Sequence, residues 1–232
     1  MSRKSMTLAM AGRNPALAGI GLFVREGSNV AFEIGWPEVE RDTAWAHRVI
    51  EAWGIERGDH VLLTARNSEG PWFGPLVTAF RAAGVVFSNA EPYSWDARRV
   101  TTMLDYLPIK AILGLSGETA DALLADDRAA GLLREVPTIW ARRDALDPLR
   151  GAGLLPAEMA MLGPAFAVEC PARTGLHLDH DEWRISSGSS GLELSVVGER
   201  VYRGREIALR STGTVDEAPC ACGLPGSRIR ID

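Results

Sequence analysis

The feature that most limits what this chain can fold into is a regular alternation of apolar runs and helical repeats over residues 42–140. Short apolar runs typical of buried strands occur at 60–64, 85–87, 109–115 and 136–140. Apolar residues at helical spacing predict helices at 42–53, 71–83, 95–106 and 119–135. Because strands that alternate with helices at this spacing are joined by crossovers, the pattern predicts a layered α/β unit with a mainly parallel sheet.

The flanking segments follow a different pattern. Residues 20–34 are typical of a hairpin that turns at Gly27-Ser28-Asn29, and residues 146–164, rich in Gly, Pro and Ala, are typical of a connector. Further strands are predicted at 166–170, 192–197 and 206–210. The sequence therefore predicts two parts: an α/β subdomain over residues 1–150, and a small β-rich subdomain over residues 151–232 that contains all three cysteines.

Composition excludes several classes of protein. The net charge of the 232 residues is −5 and no Lys/Arg block occurs, so we expect neither a nucleic-acid nor an anionic-membrane partner. No apolar run approaches the roughly 20 residues of a membrane span, and the first residues are a poor signal peptide. Three cysteines form an odd set, which argues against a disulfide framework and favours a reducing, cytoplasmic location.

All three cysteines lie in two short clusters. The first reads C-P-A-R-T-G-L-H and contains Cys170 and His177, and the second reads C-A-C-G and contains Cys220 and Cys222. Three thiolates and one imidazole form the four-ligand set that structural zinc prefers. Because a fourth protein ligand leaves no position for water, the sequence predicts structural Zn²⁺ at Cys170, His177, Cys220 and Cys222, and no Lewis-acid chemistry.

Three alternatives to this interpretation stay open. The cysteines are equally consistent with buried free thiols beside a surface histidine. His180 competes with His177 as the fourth ligand, since it lies only three residues further on. A redox or nucleophilic role for Cys220 and Cys222 is less favoured, because their spacing is not C-x-x-C and no base is adjacent in sequence.

Several segments together resemble the adenylate-forming enzymes, in particular the phenylacetate–CoA ligase branch. These segments are G-I-E-R-G-D-H-V-L-L at 54–63, F-R-A-A-G-V-V at 80–86, V-E-C-P with G-L-H at 168–177, G-L-E-L-S-V at 191–196 and C-A-C-G at 220–223. The resemblance implies a scaffold for joining ATP to a carboxylate and passing the acyl group to coenzyme A. It also implies a structural metal on the same cysteines and histidine.

The chain departs from that family where the chemistry is done. The family's Ser/Thr/Gly phosphate loop has no match between residues 140 and 166, and the serine-rich run 186–191 comes after the E-C-P segment. The neutral Thr214 stands where a carboxylate would hold the ribose, with Asp216 two residues away. The C-terminal lid with its catalytic lysine is expected to be missing after Asp232.

These departures predict a zinc-stabilised protein without catalytic residues. Such a protein would bind a small acyl or aryl ligand, or associate as a homodimer or with an enzyme partner. Aromatic candidates for that surface are Trp72, Phe73, Tyr93 and Trp95. The alternative is an acyl- or aryl-CoA ligase that works with a complementing chain. A third hypothesis is a new enzyme with Cys or His chemistry beside the metal.

Overall fold

A computed structural model describes residues 17–232 apart from residues 26, 189–190, 205 and 210. The helices are α1 (Trp36–Ala52), α2 (Gly70–Ala83), α3 (Ala97–Tyr106), α4 (Gly117–Leu124), α5 (Asp127–Arg134) and α6 (Arg143–Gly151). The longest, α1, has 17 residues. Within the described part of the chain, no helix is long and apolar enough to cross a membrane.

The strands form three sheets, and their bounds are as follows. The first seven are β1 (Leu17–Arg25), β2 (Ser28–Gly35), β3 (His60–Thr64), β4 (Val86–Ala90), β5 (Ile109–Leu115), β6 (Thr138–Arg142) and β7 (Ala157–Leu162). The others are β8 (Ala165–Glu169), β9 (Leu176–His177), β10 (Trp183–Gly188), β11 (Gly191–Val196), β12 (Ile207–Ala208), β13 (Gly213–Asp216) and β14 (Arg228–Ile231).

The largest sheet has nine strands in the order β13-β14-β9-β8-β7-β6-β5-β3-β4. The block from β7 to β4 is parallel, as predicted for the α/β unit. The block from β13 to β7 is antiparallel. The C-terminal strands β8, β9, β13 and β14 therefore extend the same sheet, and β6 and β7 join it on either side of residue 150. The division of the chain at that residue stays a prediction.

The inner parallel strands β3, β5 and β6 are buried on both faces, which explains why their sequences are mostly apolar without alternation. On one face α1 and α2 pack with the hairpin β1–β2 around side chains such as Phe80 and Trp140. On the other face α3 to α6 cover Leu62, Ile112 and their neighbours. The mixed α/β architecture predicted from the alternation is confirmed.

Element boundaries agree best where strong local signals exist. Strands β3 and β5 have the predicted bounds, and α2 ends at Gly84, whose φ of 73° is left-handed. Helix α1 begins six residues before the predicted start, because Pro37 lies in its first turn and the Glu38 carboxylate accepts the Gly35 N–H. The predicted helix 119–135 is two helices, since the Asp126 side chain caps α5 by accepting the Ala129 N–H at 2.9 Å.

The predicted connector 146–164 is wrong. Its first part belongs to α6, where Leu146 and Leu149 are buried against the sheet. Its second part is β7, where Ala157 and Met159 are buried and pair between β6 and β8. Gly151, Gly153, Pro156, Gly163 and Pro164 lie at or between the ends of these elements, but Pro148 lies inside α6, so composition alone concealed the helix. The predicted turn at 27–29 is also shifted, since Ser28 is already in β2, where it pairs with Arg25.

Two buried ionic groups tie distant segments together. Arg200 is 3% exposed at its side chain and donates to both oxygens of Asp42 at 2.8 Å and to Glu182 at 2.8 Å. Arg142 donates to both oxygens of Glu69 at 2.7 Å across the carboxyl ends of the parallel strands. Because an unpaired buried charge is costly, each group holds its loop against the core.

Candidate metal centre

The structure brings the four predicted ligands together. Cys170 directly follows β8, His177 ends β9, and Cys220 and Cys222 lie in the turn between β13 and β14. The Cys170 and Cys220 Sγ atoms are 3.6 Å apart, and the Cys222 Sγ is 3.6 Å from the His177 Nε2. All four donor atoms lie within 4.8 Å of one another.

Strand pairing explains why residues 50 positions apart meet. In the antiparallel ladders Val168 lies opposite His177, and His177 lies opposite Arg228, so β9 is held between β8 and β14. Gly175 has a φ of 131°, and a Cβ there would lie 2.9 Å from the Ile229 carbonyl oxygen. A side chain at this position would therefore push β14 away from the cluster.

The second ligand pair sits on a tight turn. The Gly223 N–H donates to the Cys220 carbonyl at 3.1 Å, and Gly223 has a left-handed φ of 80°. The Leu224 N–H points at the Cys222 Sγ at 3.4 Å. The Gly after C-x-C therefore has a structural cause, because only a residue without a Cβ adopts this conformation without strain.

The geometry fits a tetrahedral metal. Bonds of about 2.3 Å to sulfur and about 2.0 Å to nitrogen place two sulfurs roughly 3.8 Å apart and a sulfur and a nitrogen roughly 3.6 Å apart. The two 3.6 Å separations agree with these values. Cys170 and His177 are fully buried, whereas Cys220 and Cys222 are partly exposed. The donor set and its spacing thus suit Zn²⁺ bound from one side of a surface turn.

The thiols of the turn titrate very differently. Burial acts to raise the pKa of Cys220, but hydrogen bonds from the Thr174 hydroxyl, the Cys222 backbone and side chain and His177 lower it to about 5. Burial, together with the neighbouring Cys220 and Cys170, raises the pKa of Cys222 to about 12. One thiolate is therefore favoured without a cation. Further thiolates need a positive charge between them, which a divalent metal supplies.

A shell of polar groups supports the cysteine turn. The Thr174 Oγ1 lies 3.4 Å from the Cys220 Sγ and accepts a hydrogen bond from the Arg228 Nη1 at 2.9 Å. Arg228 also forms an ion pair with Asp216 and donates to the Ala218 carbonyl at 3.1 Å. Sequence reasoning missed Thr174 and Arg228, since they are 54 residues apart and only the β9–β14 pairing places them together.

Within the described part of the chain, His177, one of the candidate ligands, lacks the outer hydrogen-bond partner that metal-bound histidines usually have. The His177 Nδ1 is buried and has no hydrogen-bond partner among the described residues. The Nε2 is the nitrogen that faces Cys222. The orientation of the ring is therefore held by its burial in β9 and not by a second hydrogen bond.

The other candidate residues lie elsewhere. His180 is 41% exposed and pairs with Asp181 at 3.2 Å, away from the cysteines. Trp72 and Phe73 are buried in the core, so they form no surface for a partner. Trp95 is exposed and stacks on Tyr93 with ring centroids 5.8 Å apart.

The segments that resemble nucleotide-binding motifs are engaged in strands and turns. Ser186 and Ser187 belong to β10 and pair with Glu193 and Leu192, while residues 189–190 lie outside the described residues. Thr214 is exposed on β13, and Arg210, which opens the same motif, is also outside them. An open groove of about 910 Å³ runs between β10 and the cysteine turn.

Comparisons with known proteins identify the fold. No family model matches the sequence, and no curated protein matches it. In structure, the chain is similar to a 2-hydroxyisobutyryl-CoA ligase in complex with 2-HIB-AMP and CoA, with a TM-score of 0.64 and 16% identity over 94% of this chain and 56% of that one. It is similar to E. coli MenE with a bound OSB-AMS analogue, with a TM-score of 0.59 and 12% identity over 94% of this chain and 48% of that one.

A third similar structure is the Klebsiella oxytoca NpsA N-terminal subdomain in complex with anthranilyl-AMSN. The TM-score is 0.57 at 12% identity, over 99% of this chain and 69% of that one. The chain thus spans about half the length of the first two similar structures. At such low identity the likeness concerns the fold alone: this chain has the fold of the adenylate-forming ligases, as the sequence resemblance predicted, while its placement in the phenylacetate–CoA ligase branch stays a prediction.

Proposed function

We propose that this chain is a non-catalytic protein built on the adenylate-forming fold, in which Zn²⁺ at Cys170, His177, Cys220 and Cys222 holds the C-terminal strands to the sheet. The observation that carries the proposal is the state of Asp216. It is the carboxylate nearest in sequence to the neutral Thr214, and each of its oxygens already accepts a hydrogen bond within the turn.

The contacts of Asp216 are structural. One oxygen accepts from the Arg228 guanidinium, and the other accepts the Ala218 N–H at 3.0 Å. A carboxylate that binds a ribose must accept hydrogen bonds from two hydroxyl groups. Turning an ion-paired carboxylate toward such a ligand costs the free energy of its charge-assisted hydrogen bond to the arginine. Asp216 therefore serves the turn that carries the cysteines, and Thr214 offers no charge in its place.

The segments in which a phosphate loop would be expected do not have the features of one. Binding phosphate in a loop takes several backbone N–H groups that point at one place, usually in a run of Gly, Ser and Thr. No Ser or Thr occurs from residue 139 to residue 173, and this stretch contains α6, β7 and β8. The N–H groups of Ser186 and Ser187 belong to a strand that pairs with β11.

Zinc in this proposal supplies structure. It neutralises the thiolates and joins β8, β9 and the cysteine turn, which are separate in sequence. The four protein donors fill a tetrahedral shell, so the residues present leave no position for a reacting water. The open groove beside the turn is where a small acyl or aryl ligand would bind.

The test is ATP–pyrophosphate exchange by the pure protein with a panel of aliphatic and aromatic acids, with a complete CoA ligase as the positive control. We expect no exchange above the enzyme-free rate. Exchange by the chain alone would refute the proposal. Exchange that appears only with a second, complementing chain would favour the alternative of a split ligase.

A second measurement separates the two roles of Asp216. We expect Asp216→Asn to weaken zinc binding about tenfold or more, as loss of outer-shell contacts does, measured by competition with a chromogenic chelator. Glu217→Gln, at the exposed neighbouring position, is the matched control and should leave zinc affinity unchanged. If Asp216→Asn instead abolished binding of ATP with zinc affinity intact, Asp216 would be a ribose ligand.

A further inference from the structure

Strand β1 presents an apolar face to solvent. Ile20, Leu22 and Val24 alternate along the strand and are 59%, 60% and 71% exposed, while Phe23 between them is buried against the core. A half-buried strand normally carries polar residues on its outer face. Three large apolar side chains in a row on the exposed face therefore mark β1 as a candidate interaction surface.

The outer edge of β1 is also unpaired within the described chain. The sheet that contains β1 has only two strands, and β2 is the partner. A nine-residue edge strand with an apolar face is a template for pairing with another strand.

We propose that β1 pairs with β1 of a second copy of this chain, antiparallel and centred on Leu22. Directly opposite residues of an antiparallel pair share one face of the sheet. With Leu22 opposite Leu22 of the copy, Ile20 lies opposite Val24 of the copy. This is the only register in which each of the three exposed side chains meets another of the three.

Charge is compatible with this register. Between residues 19 and 25 the only charged residue is Arg25, and it lies opposite Gly19 of the copy. No like charges face each other, so the repulsion that usually protects edge strands is absent here. For comparison, β4, the strand at the parallel edge of the nine-stranded sheet, exposes only Val86 as a large apolar side chain.

The area involved predicts a weak dimer. Full burial of a Val, Leu or Ile side chain removes roughly 100 Å² from water, so about 400 Å² over two protomers is the upper limit for three side chains that are more than half exposed. Edge pairing buries less than this limit, because the outer face of the extended sheet stays open to solvent. Stable complexes bury roughly 1,600 Å². An apolar groove of about 360 Å³ lined by Ile20, Val39 and Pro75 continues from the strand and adds surface. We therefore expect an equilibrium that depends on concentration.

Single cysteines on β1 test the register directly. We expect Leu22→Cys to form a disulfide-linked dimer on mild oxidation of the zinc-loaded protein, since the two residues 22 face each other. Ile20→Cys is the matched control on the same face. Its copies lie four residues apart along the strand, about 13 Å, beyond the roughly 7 Å that a disulfide spans. A mixture of Ile20→Cys and Val24→Cys chains should cross-link again.

The yield of cross-linked dimer should be at least tenfold higher for Leu22→Cys than for Ile20→Cys, with unmodified protein as the blank. Equal yields would overturn the register, and no cross-link from any of these chains would overturn the pairing.

Sedimentation provides the second measurement. Leu22→Lys should raise the dimer dissociation constant at least tenfold, whereas Val86→Lys should change it less than twofold. A chain that stays monomeric at every concentration tested would overturn the proposal. The face would then be left to residues 1–16 or to another protein.

Discussion

Removal of the metal is the perturbation that tests the candidate centre most directly. A metal that joins Cys170 to Cys220 closes a loop of some 50 residues. By the chain-entropy relation for cross-links, a loop of this length restricts the unfolded chain by about 4 kcal/mol. For a domain of this size 1 kcal/mol shifts the melting temperature by about 2–4 °C. We therefore expect a strong chelator to lower the melting temperature by about 8–16 °C.

The variant Cys220→Ser, measured with and without the chelator, tests whether the chelator acts through this site. It should melt near the temperature of the chelated wild-type protein, and a chelator should have little further effect on it. His180→Asn is the matched control, because His180 lies in the same region but outside the cluster. It should retain both the zinc content, measured by elemental analysis, and the melting temperature of the wild-type protein.

The reasoning is refuted if purified wild-type protein holds no metal and melts at the same temperature with and without chelator. It is also refuted if Cys220→Ser keeps one equivalent of zinc while His180→Asn loses it. In that case the histidine ligand would be the one that the structure places away from the cysteines.

Other predictions concern buried charges and thiols. Arg200→Ala should lower the free energy of unfolding by about 3–5 kcal/mol in urea titrations, since it leaves buried carboxylates unpaired, whereas Arg203→Ala at an exposed position should change it by less than about 0.5 kcal/mol. Although burial raises the pKa of Glu69, hydrogen bonds from its arginine partner lower it overall. Its stabilisation is therefore present above the ordinary glutamate pKa and lost as the pH falls through the folded value, so the stability difference between wild type and Glu69→Gln should shrink in urea titrations from pH 6 to pH 3. In metal-free protein at pH 7, iodoacetamide should modify Cys220 before Cys222, because their pKa values are about 5 and about 12; peptide mass spectrometry would show the order, and equal labelling would contradict it.

Local signals in the sequence were sufficient for the parallel block. Strands β3 and β5 are continuous apolar runs bounded by turn residues, and Gly84 marks the end of α2 in sequence and in structure. The Gly that follows the C-x-C motif is another local signal, because the left-handed backbone of Gly223 favours a residue without a Cβ. These features depend on neighbours within a few positions, so periodicity and glycine placement reveal them.

Long-range pairing decided the rest. The sequence could propose Cys170, His177, Cys220 and Cys222 as one set, but only the order β14-β9-β8 brings the two clusters within bonding distance and separates His177 from His180. The same pairing recruits Thr174 and Arg228, and it engages Asp216 in an ion pair with Arg228. The physical reason is that the sequence shows which side chains are able to bind a metal, because this depends on each residue type alone. Which of these side chains come together depends on strands that are adjacent only after the sheet has formed.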